Sequence, residues 1–191
     1  MQKINKIDIT AVILAGGQGM RMNRQDKGLI SFKGKPMVSH IISVVKNEVG
    51  QLLISANRNI EKYQQYGTVI TDDLNDFQGP LAGITKALLV VKTPYLLVMP
   101  CDTPYISQSV IHRLITTISN SNADLCVASD GTRIHPTIAI IKTELKDNVS
   151  NFFDSGDRKL GLWVQQNNFV KADFSDCPEV LANLNTPEDF N

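Results

Sequence analysis

Apolar and polar residues occur along the chain in blocks that indicate strands separated by helices. The run from Ile9 to Leu14 is rich in β-branched residues and stops at glycines, which is typical of a buried strand followed by a loop. Similar runs predict strands at residues 52–56, 68–70, 95–100 and 125–128. Between these runs, apolar residues recur at helical spacing after Pro36, after Pro80 and after Ser107, so each of these segments predicts a helix.

This order of elements predicts an α/β protein with three layers, a Rossmann-like, mostly parallel central sheet with helices on both faces. Ligands of such sheets bind outside the carboxyl ends of the strands, so the chemistry is expected in the residues that follow each strand. The last quarter differs in character. Residues 132–141 and 169–174 are predicted to be extended, and residues 144–153 and 160–166 are predicted to form short helices.

The composition limits the classes of function. Of the 191 residues, 42% are hydrophobic and 20% are charged, which supplies the core of one domain. Nineteen basic residues balance nineteen acidic ones, so binding of nucleic acid or of an anionic membrane through bulk charge is disfavoured. The three cysteines form no C-x-x-C pair, which favours reduced thiols and a cytoplasmic location. No run approaches the ~20 apolar residues of a membrane span.

The first loop combines glycines with positive charge. It contains Gly16, Gly17 and Arg21, and Lys27 follows shortly afterwards. Glycines let backbone N–H groups approach a polyphosphate, and the two basic side chains would add fixed positive charge. Residues 15–35 include five basic residues and one acidic residue, a local balance of +4. The spacing matches neither the Walker A nor the Rossmann dinucleotide pattern, and a tight turn with solvated charges is the alternative.

Polar residues also follow three further predicted strands. Ser55 and Asn57 lie where the second strand ends, and they either read a base edge or cap the next helix. Asp72 follows the third strand in an acidic loop, for which turn and cap residues are the alternative to a ligand site. Asp102 follows the fourth strand, where a Mg²⁺ ion that bridges polyphosphate oxygens would lie. Capping of the next helix is the alternative for Asp102.

These motifs resemble those of one known family. L-A-G-G-x-G-x-R-M, D-K-G-L and G-K-P at residues 14–36, with P-C-D-T-P-Y-I at 100–106, are similar to the molybdenum cofactor guanylyltransferase (MobA) family of the nucleotidyltransferase superfamily. The resemblance extends over residues 9–190. It implies transfer of GMP from GTP to the terminal phosphate of molybdenum-carrying molybdopterin, with Mg²⁺ as cofactor and pyrophosphate as product. We also expect a monomer whose partners are cofactor-delivery and molybdoenzyme maturation proteins.

The resemblance also implies which residues contact GTP. They are Leu14, Ala15, Gly16, Gly17, Lys27, Ser55, Asn57, Asp72, Gly79 and Asp102. Asp102 takes the place of the family's Mg²⁺ ligand, and the catalytic residues are expected to be Lys27, Arg21 and Asp102. The family has Asn where this chain has Ser55, so the contact to guanine at this position depends on a hydroxyl that both donates and accepts.

The acceptor side is predicted from motifs in the last third of the chain. The resemblance implies acceptor contacts at His135, Arg158, Asn183 and Asn185. A structural histidine and a solvated turn are the alternatives for His135 and Arg158. Related sugar-nucleotide and isoprenoid transferases have Asp in place of the asparagines, so Asn183 and Asn185 favour the molybdopterin branch. We expect 1–191 to form a single domain in which residues 1 to about 130 bind nucleotide and about 131–191 face the acceptor.

Two other functions stay open at this point. A cytidylyltransferase, or another nucleotidyltransferase of the same superfamily, is compatible with Ser55. A noncatalytic protein that binds GTP or the cofactor would also use the glycine loop, but it would release no pyrophosphate. A comparison of GTP with CTP addresses the first alternative, and a pyrophosphate assay addresses the second.

Overall fold

A central β-sheet organises the molecule. The computed structural model describes residues 3–15, 25–72, 79–185 and 189. The strands in this part of the chain are β1 (Ile9–Leu14), β2 (Ser31–Phe32), β3 (Lys35–Pro36), β4 (Gln51–Ser55), β5 (Thr68–Ile70), β6 (Tyr95–Pro100), β7 (Leu125–Ser129), β8 (Ile134–Lys142) and β9 (Phe169–Asp173). Seven of them form one sheet in the order β5-β4-β1-β6-β8-β7-β9, and β2 pairs with β3 in a separate hairpin.

Most neighbouring strands of this sheet run in the same direction. β1 lies between β4 and β6 and is parallel to both, with Leu14 opposite Ser55 on one side and opposite Pro100 on the other. β5 extends the sheet in parallel beyond β4, and β9 pairs in parallel with β7. Only β8, among the described strands of the sheet, is antiparallel to its neighbours. The mostly parallel sheet predicted from the sequence is therefore confirmed, and β1, β4 and β6 end at one edge.

Helices cover both faces of the sheet. They are α1 (Met37–Val45), α2 (Ile60–Gln64), α3 (Pro80–Val90), α4 (Gln108–Ser119), α5 (Lys146–Asp154) and α6 (Leu160–Gln165). All except α2 begin within two residues of the predicted positions, and no range is predicted for α2. Gly79 precedes α3 with a φ of 77°, a left-handed conformation that glycine adopts without steric cost, and Pro80 then occupies the first helical position. No helix of the described residues is long and apolar enough to cross a membrane.

The two faces of the sheet bury separate apolar clusters. On one face, Ile9, Ala11 and Ile13 of β1 pack with residues of α1 and α4. On the other face, Val12 packs with residues of α3 and α6, including Trp163. Burial on both faces explains why the strand reads as a continuous apolar run instead of an alternating one. The three-layer architecture predicted from the sequence is thereby confirmed.

An irregularity in β8 shapes the same edge of the sheet. Val127 of β7 pairs with Ala139, whereas the next residue, Ala128, pairs with His135. Residues 136–138 therefore form a bulge, and Pro136, which has no N–H to donate, lies within it. Because β8 is antiparallel, His135 lies near the edge at which β1 and β6 end.

Candidate active site

Charged and amide side chains meet at the carboxyl ends of β1 and β6. Lys27 Nζ lies 3.2 Å from Asp102 Oδ2 and donates a hydrogen bond of 2.6 Å to Asn185 Oδ1. Asn183 Nδ2 donates to the other carboxylate oxygen, Asp102 Oδ1, at 3.1 Å. We call these four residues the strand-end cluster. Predicted at separate places in the sequence, they are brought together by the fold.

Backbone contacts fix the position of Asp102. The Cys101 N–H donates to Leu14 O at 3.1 Å, which continues the pairing of β1 and β6 past the end of the strands. The Leu184 N–H donates to Asp102 O at 2.9 Å. The Leu184 side chain is buried in a small cluster with Phe32 and Met37. Apolar packing therefore holds the backbone of residues 183–185 against Asp102.

The strand-end cluster is partly open to solvent. The side chains of Lys27 and Asp102 are 20% and 16% exposed, so a ligand can reach them while much of the surrounding water is excluded. Carboxylate and amide oxygens are hard ligands that suit Mg²⁺, which in phosphate sites takes one or two carboxylates and completes its shell with phosphate and water. The described residues contain no group of three His, Cys, Asp or Glu side chains that could hold a metal alone. The donors present thus fit a Mg²⁺ ion that arrives with a phosphate ligand.

Cys101 lies beside Asp102 but is not a candidate nucleophile. Its side chain is buried, and burial together with the neighbouring Asp102 carboxylate raises the pKa of the thiol well above its usual range. The thiol therefore remains protonated and acts as a packing group.

A second polar group lies at the ends of β4 and β5. Asn57 Nδ2 donates to Asp72 Oδ1 at 2.6 Å, and the Asp72 N–H donates back to Asn57 Oδ1 at 3.1 Å. Ser55 O accepts a hydrogen bond of 2.8 Å from the Ala15 N–H, which joins β4 to the residue that follows β1. Asn57 and Asp72 are thus brought together, and Ser55 and Ala15 are neighbours.

Ser55 and Leu14 lie against the first turns of α3. A Cβ atom built on Gly83 would be 2.5 Å from Ser55 Oγ and 3.2 Å from Leu14 Cδ2, so only glycine allows α3 to approach the strands this closely. Gly79 lies at the start of the same helix. Three further predicted site residues, Gly16, Gly17 and Arg21, lie outside the described residues.

The remaining acceptor candidates have partners close to them in the chain. His135 Nε2 lies 2.8 Å from Asp130 Oδ2. The Thr132 hydroxyl, the Arg133 N–H and the His135 ring hold the pKa of the Asp130 carboxyl well below its usual range. Arg158 stacks on Phe153, with 3.7 Å between the guanidinium carbon and the ring centroid. Asn183 and Asn185 belong to the strand-end cluster instead, beside Lys27 and Asp102.

Asp26 is a further polar residue at this site, and no sequence motif predicts its role. Its carboxylate is buried and accepts hydrogen bonds from Tyr63 Oη at 2.5 Å and from Asn59 Nδ2 at 2.9 Å. Arg58 Nε lies 3.5 Å from the same carboxylate. The only signal in the sequence is the position of Asp26 directly before Lys27 in the D-K-G-L motif.

Comparison with known proteins identifies the family of the chain. The family model described as the MobA-like NTP transferase domain matches residues 11–170. A molybdenum cofactor guanylyltransferase of Shewanella sediminis (strain HAW-EB3) is 43% identical over 183 residues, covering 95% of this chain and 93% of that protein. A protein of the same name from Shewanella sp. (strain MR-4) is 42% identical with the same coverage.

A solved structure supports the fold. The molybdopterin-guanine dinucleotide biosynthesis protein A of Archaeoglobus fulgidus has a TM-score of 0.78, with 20% identity, over 95% of this chain and 94% of that one. This agrees with the mostly parallel sheet and its two helical layers. On the family match and the identity to its relatives, the chain belongs to the MobA-like NTP transferase family, among the molybdenum cofactor guanylyltransferases.

Proposed function

We propose that the protein transfers GMP from GTP to the terminal phosphate of molybdopterin that carries molybdenum. The product would be the molybdopterin guanine dinucleotide cofactor, and pyrophosphate would be released. The observation that carries this proposal is the meeting of Lys27 with Asp102, 3.2 Å apart, at the carboxyl ends of β1 and β6. The names of the Shewanella relatives support guanylyl transfer as the reaction.

The reaction requires charge neutralisation more than proton transfer. An oxygen of the acceptor phosphate attacks the α-phosphorus of GTP, and the bond from that phosphorus to the oxygen bridging to the β-phosphorus breaks. The bonding electron pair leaves with pyrophosphate. Since the acceptor oxygen is already ionised near neutral pH, no side chain is assigned as general base. Catalysis then comes from alignment of the two phosphates and from electrostatic stabilisation of the transition state.

Lys27 is proposed to supply the fixed positive charge. Its ammonium group would donate to oxygens of the α-phosphate and of the departing pyrophosphate, and Arg21 is proposed to share this role. Nζ lies between Asp102 Oδ2 and Asn185 Oδ1, which keeps the extended side chain at the strand ends. A lysine held in this way loses little additional conformational entropy when phosphate binds.

Asp102 is proposed to hold Mg²⁺. Mg²⁺ held there would supply positive charge that neutralises the phosphates. Asn183 donates to Asp102 Oδ1, and Leu184 donates to the Asp102 backbone, so both contacts orient the carboxylate before any ligand arrives. Asn185 adds an amide oxygen beside Lys27 and Asp102.

The nucleoside and the acceptor are proposed to bind on opposite sides of the strand-end cluster. We assign the nucleoside of GTP to the residues that end β1, β4 and β5 and start α3, which are Leu14, Ala15, Ser55, Asn57, Asp72 and Gly79, with Gly16 and Gly17 of the first loop. His135 and Arg158 are assigned to the acceptor, and Asn183 and Asn185 are assigned to the acceptor side of the strand-end cluster. The position of a Cβ atom on Gly161 lies 4.0 Å from Pro136 Cγ, so the first turn of α6 lies beside the segment that contains His135.

The proposed reaction is accompanied by a proposed domain organisation, oligomeric state, location and set of partners. We propose that the chain acts as a single domain and as a cytoplasmic monomer, with residues 1 to about 130 serving GTP and about 131–191 serving the acceptor. Proteins that deliver the cofactor and mature molybdoenzymes would be its partners. Nucleic acid and membranes would not be partners, because the chain as a whole carries no net charge.

The proposed function is tested by incubating the protein with GTP, Mg²⁺ and molybdopterin cofactor. The expected result is the guanine dinucleotide, identified by mass spectrometry, together with one pyrophosphate per dinucleotide. Parallel incubations replace GTP with CTP, and Asp102→Ala prepared in the same way controls for contaminating activity. A cytosine dinucleotide would instead identify a cytidylyltransferase. GTP binding without pyrophosphate would identify a noncatalytic carrier.

A further inference from the structure

The residue that precedes Lys27 is anchored on the opposite side of the chain. Asp26 is buried, and its carboxylate is held by Tyr63 Oη at 2.5 Å, by Asn59 Nδ2 at 2.9 Å and by Arg58 at 3.5 Å. All three partners lie at or just before α2. We call these four residues the Asp26 anchor. The Asp26 anchor and the strand-end cluster are thus linked through one peptide bond, between Asp26 and Lys27.

The Asp26 anchor leaves little freedom for the backbone. The Asp26 carbonyl accepts from the Leu29 N–H at 2.9 Å, which starts the short 3₁₀ turn that contains Lys27. Gly28 lies so close to the Tyr63 hydroxyl that any Cβ atom there would clash with it. Two adjacent side chains therefore reach different elements, Asp26 towards α2 and Lys27 towards the end of β6.

The hydroxyl that binds Asp26 is a permanent donor. Tyr63 is fully buried, and burial raises the pKa of its phenol well above the usual range. The hydroxyl therefore keeps its proton and donates a hydrogen bond to the carboxylate. Asn59 has a φ of 51°, a left-handed conformation that asparagine adopts more readily than most residues other than glycine. The amide of Asn59 reaches Asp26 from this conformation.

A buried carboxylate is an energetically unfavourable group with which to join a turn to a helix. Removing a charged group from water is unfavourable unless hydrogen bonds compensate, and an apolar contact of similar volume often stabilises a fold as well. Directional hydrogen bonds on a buried carboxylate do fix orientation, which is what a neighbouring ligand-binding side chain needs. The location of the Asp26 anchor, one residue from Lys27, supports that use.

We propose that Asp26, held by Tyr63 and Asn59, is a positioning residue for Lys27. It sets the backbone from which the Lys27 side chain extends, so that the ammonium group stays beside Asp102 and meets the phosphates of the nucleotide. The inference rests on the proposed function only in that Lys27 binds nucleotide phosphate. It adds a set of residues that touch neither substrate and act through Lys27.

A double-mutant cycle tests the proposal. Tyr63→Phe removes one hydroxyl and keeps the buried ring, and Lys27→Ala removes the side chain that the Asp26 anchor is meant to place. We expect Tyr63→Phe to weaken binding of Mg²⁺-GTP, measured by calorimetry, by about tenfold. In the Lys27→Ala background the same substitution should change binding by less than about twofold. A merely structural hydroxyl would produce the same loss in both backgrounds, and that result would overturn the proposal.

Two further variants complete the experiment. Asp26→Asn retains the shape of the side chain and removes its charge, so it should repeat the tenfold loss and the same dependence on Lys27 even if Tyr63→Phe folds poorly. Tyr66→Phe, three residues further along and outside the Asp26 anchor, is the matched control and should bind as the wild type does. Thermal unfolding of each variant verifies that the binding measurements are made on folded protein.

The binding assay separates this proposal from the proposed function. Wild-type protein that binds Mg²⁺-GTP but forms no dinucleotide would overturn guanylyl transfer, while the cycle in binding constants would still decide the role of Asp26. Wild-type protein that binds no nucleotide would overturn both. Equal binding by wild type, Tyr63→Phe and Asp26→Asn would overturn the positioning role alone.

Discussion

Two polar clusters of this protein are built in opposite ways. The strand-end cluster joins Lys27 to Asp102 and to Asn185, which are 75 and 158 residues further along the chain. The cluster around Asp130 joins that carboxylate to Thr132, Arg133 and His135, all within five residues. The contacts of the second cluster join residues close together in the chain, whereas those of the first require elements that are far apart in the sequence to fold together.

The difference indicates what each cluster contributes. Asp130 receives donors from its own turn, so its contacts have a sufficient structural reason. The strand-end cluster instead gathers a cation, a carboxylate and two amides at the edge where parallel sheets bind ligands. Such long-range convergence of partly exposed polar groups has no explanation in local folding. Substitutions in the two clusters test this contrast.

Removing the carboxylate of Asp102 should have the greatest effect. We expect Asp102→Ala to lower kcat for pyrophosphate release by roughly 10³-fold or more, because the proposed Mg²⁺ ligand is lost. Asp102→Asn keeps the shape and tests the charge alone. Rates measured over a range of Mg²⁺ concentrations, together with a thermal unfolding curve, separate loss of metal from loss of fold. Wild-type rates in Asp102→Ala would show that the strand-end cluster is not the active site.

Substitution of Lys27 should have the second largest effect on catalysis. Lys27→Ala is expected to lower kcat/KM by roughly 10²-fold, because fixed positive charge near the transferred phosphate is lost. Lys27→Arg retains the charge and should lose less. Lys33→Ala, in the turn between β2 and β3, is the matched control and should behave as the wild type. An equal loss in Lys33→Ala would mean that charge near the loop matters in general and that no single lysine has the role.

The two asparagines should have intermediate effects. Asn183→Ala removes the donor to Asp102, and Asn185→Ala removes the acceptor of Lys27. Each should lower kcat by about tenfold, the size expected for one hydrogen bond to a charged group. Steady-state rates at saturating GTP measure this effect. Full activity in both variants would show that the two asparagines of the strand-end cluster do not contribute to catalysis.

His135 should affect only one substrate. If its proposed role at the acceptor is correct, His135→Ala should raise KM for the molybdopterin cofactor by about tenfold and leave the binding constant of GTP unchanged. Steady-state kinetics with each substrate varied in turn gives both values. His112→Ala, on the exposed surface of α4, serves as the control. An unchanged KM for the molybdopterin cofactor would show that His135 has only a structural role, in the turn that contains Asp130.

The smallest effect should be on stability at acid pH. Because the pKa of Asp130 is lower in the folded protein, its contribution is fully present above the unfolded pKa of about 3.9 and is lost as pH falls towards the folded pKa. The difference in free energy of unfolding between His135→Gln and His135→Gln/Asp130→Asn should therefore be constant above about pH 5 and shrink below about pH 4. Urea unfolding from pH 3 to 7 measures it. A difference that grows at low pH would contradict this assignment.

The strands that position the site can be predicted from the sequence. The side-chain contacts within the site are predicted less well. The ends of β1 and β6 were predicted because buried parallel strands are continuous apolar runs, and Lys27 and Asp102 follow from their positions after those strands. The bond between Asp26 and Tyr63 was not predicted, because it spans 37 residues and neither residue is unusual in its own segment. Side-chain pairing across elements requires the fold.

The direction of β8 could not be predicted from the sequence either. Residues 132–141 are predicted to be extended, and Ile134–Lys142 form β8, which is antiparallel to both β6 and β7. An apolar run encodes burial, but it does not encode which neighbour a strand pairs with or in which direction. The bulge at residues 136–138, which brings His135 opposite Ala128, follows from that pairing.

The contact between Asn183 and Asp102 bears on how the protein matures. The two residues are 81 positions apart, and a ribosome that adds about 5–20 residues per second needs roughly 4–16 s to synthesise that interval. Throughout this time the emerging chain already contains Lys27 and Asp102, but it lacks the amides that orient them. A nascent chain of this protein can therefore bury β1 and β6 before it can orient Asp102 fully.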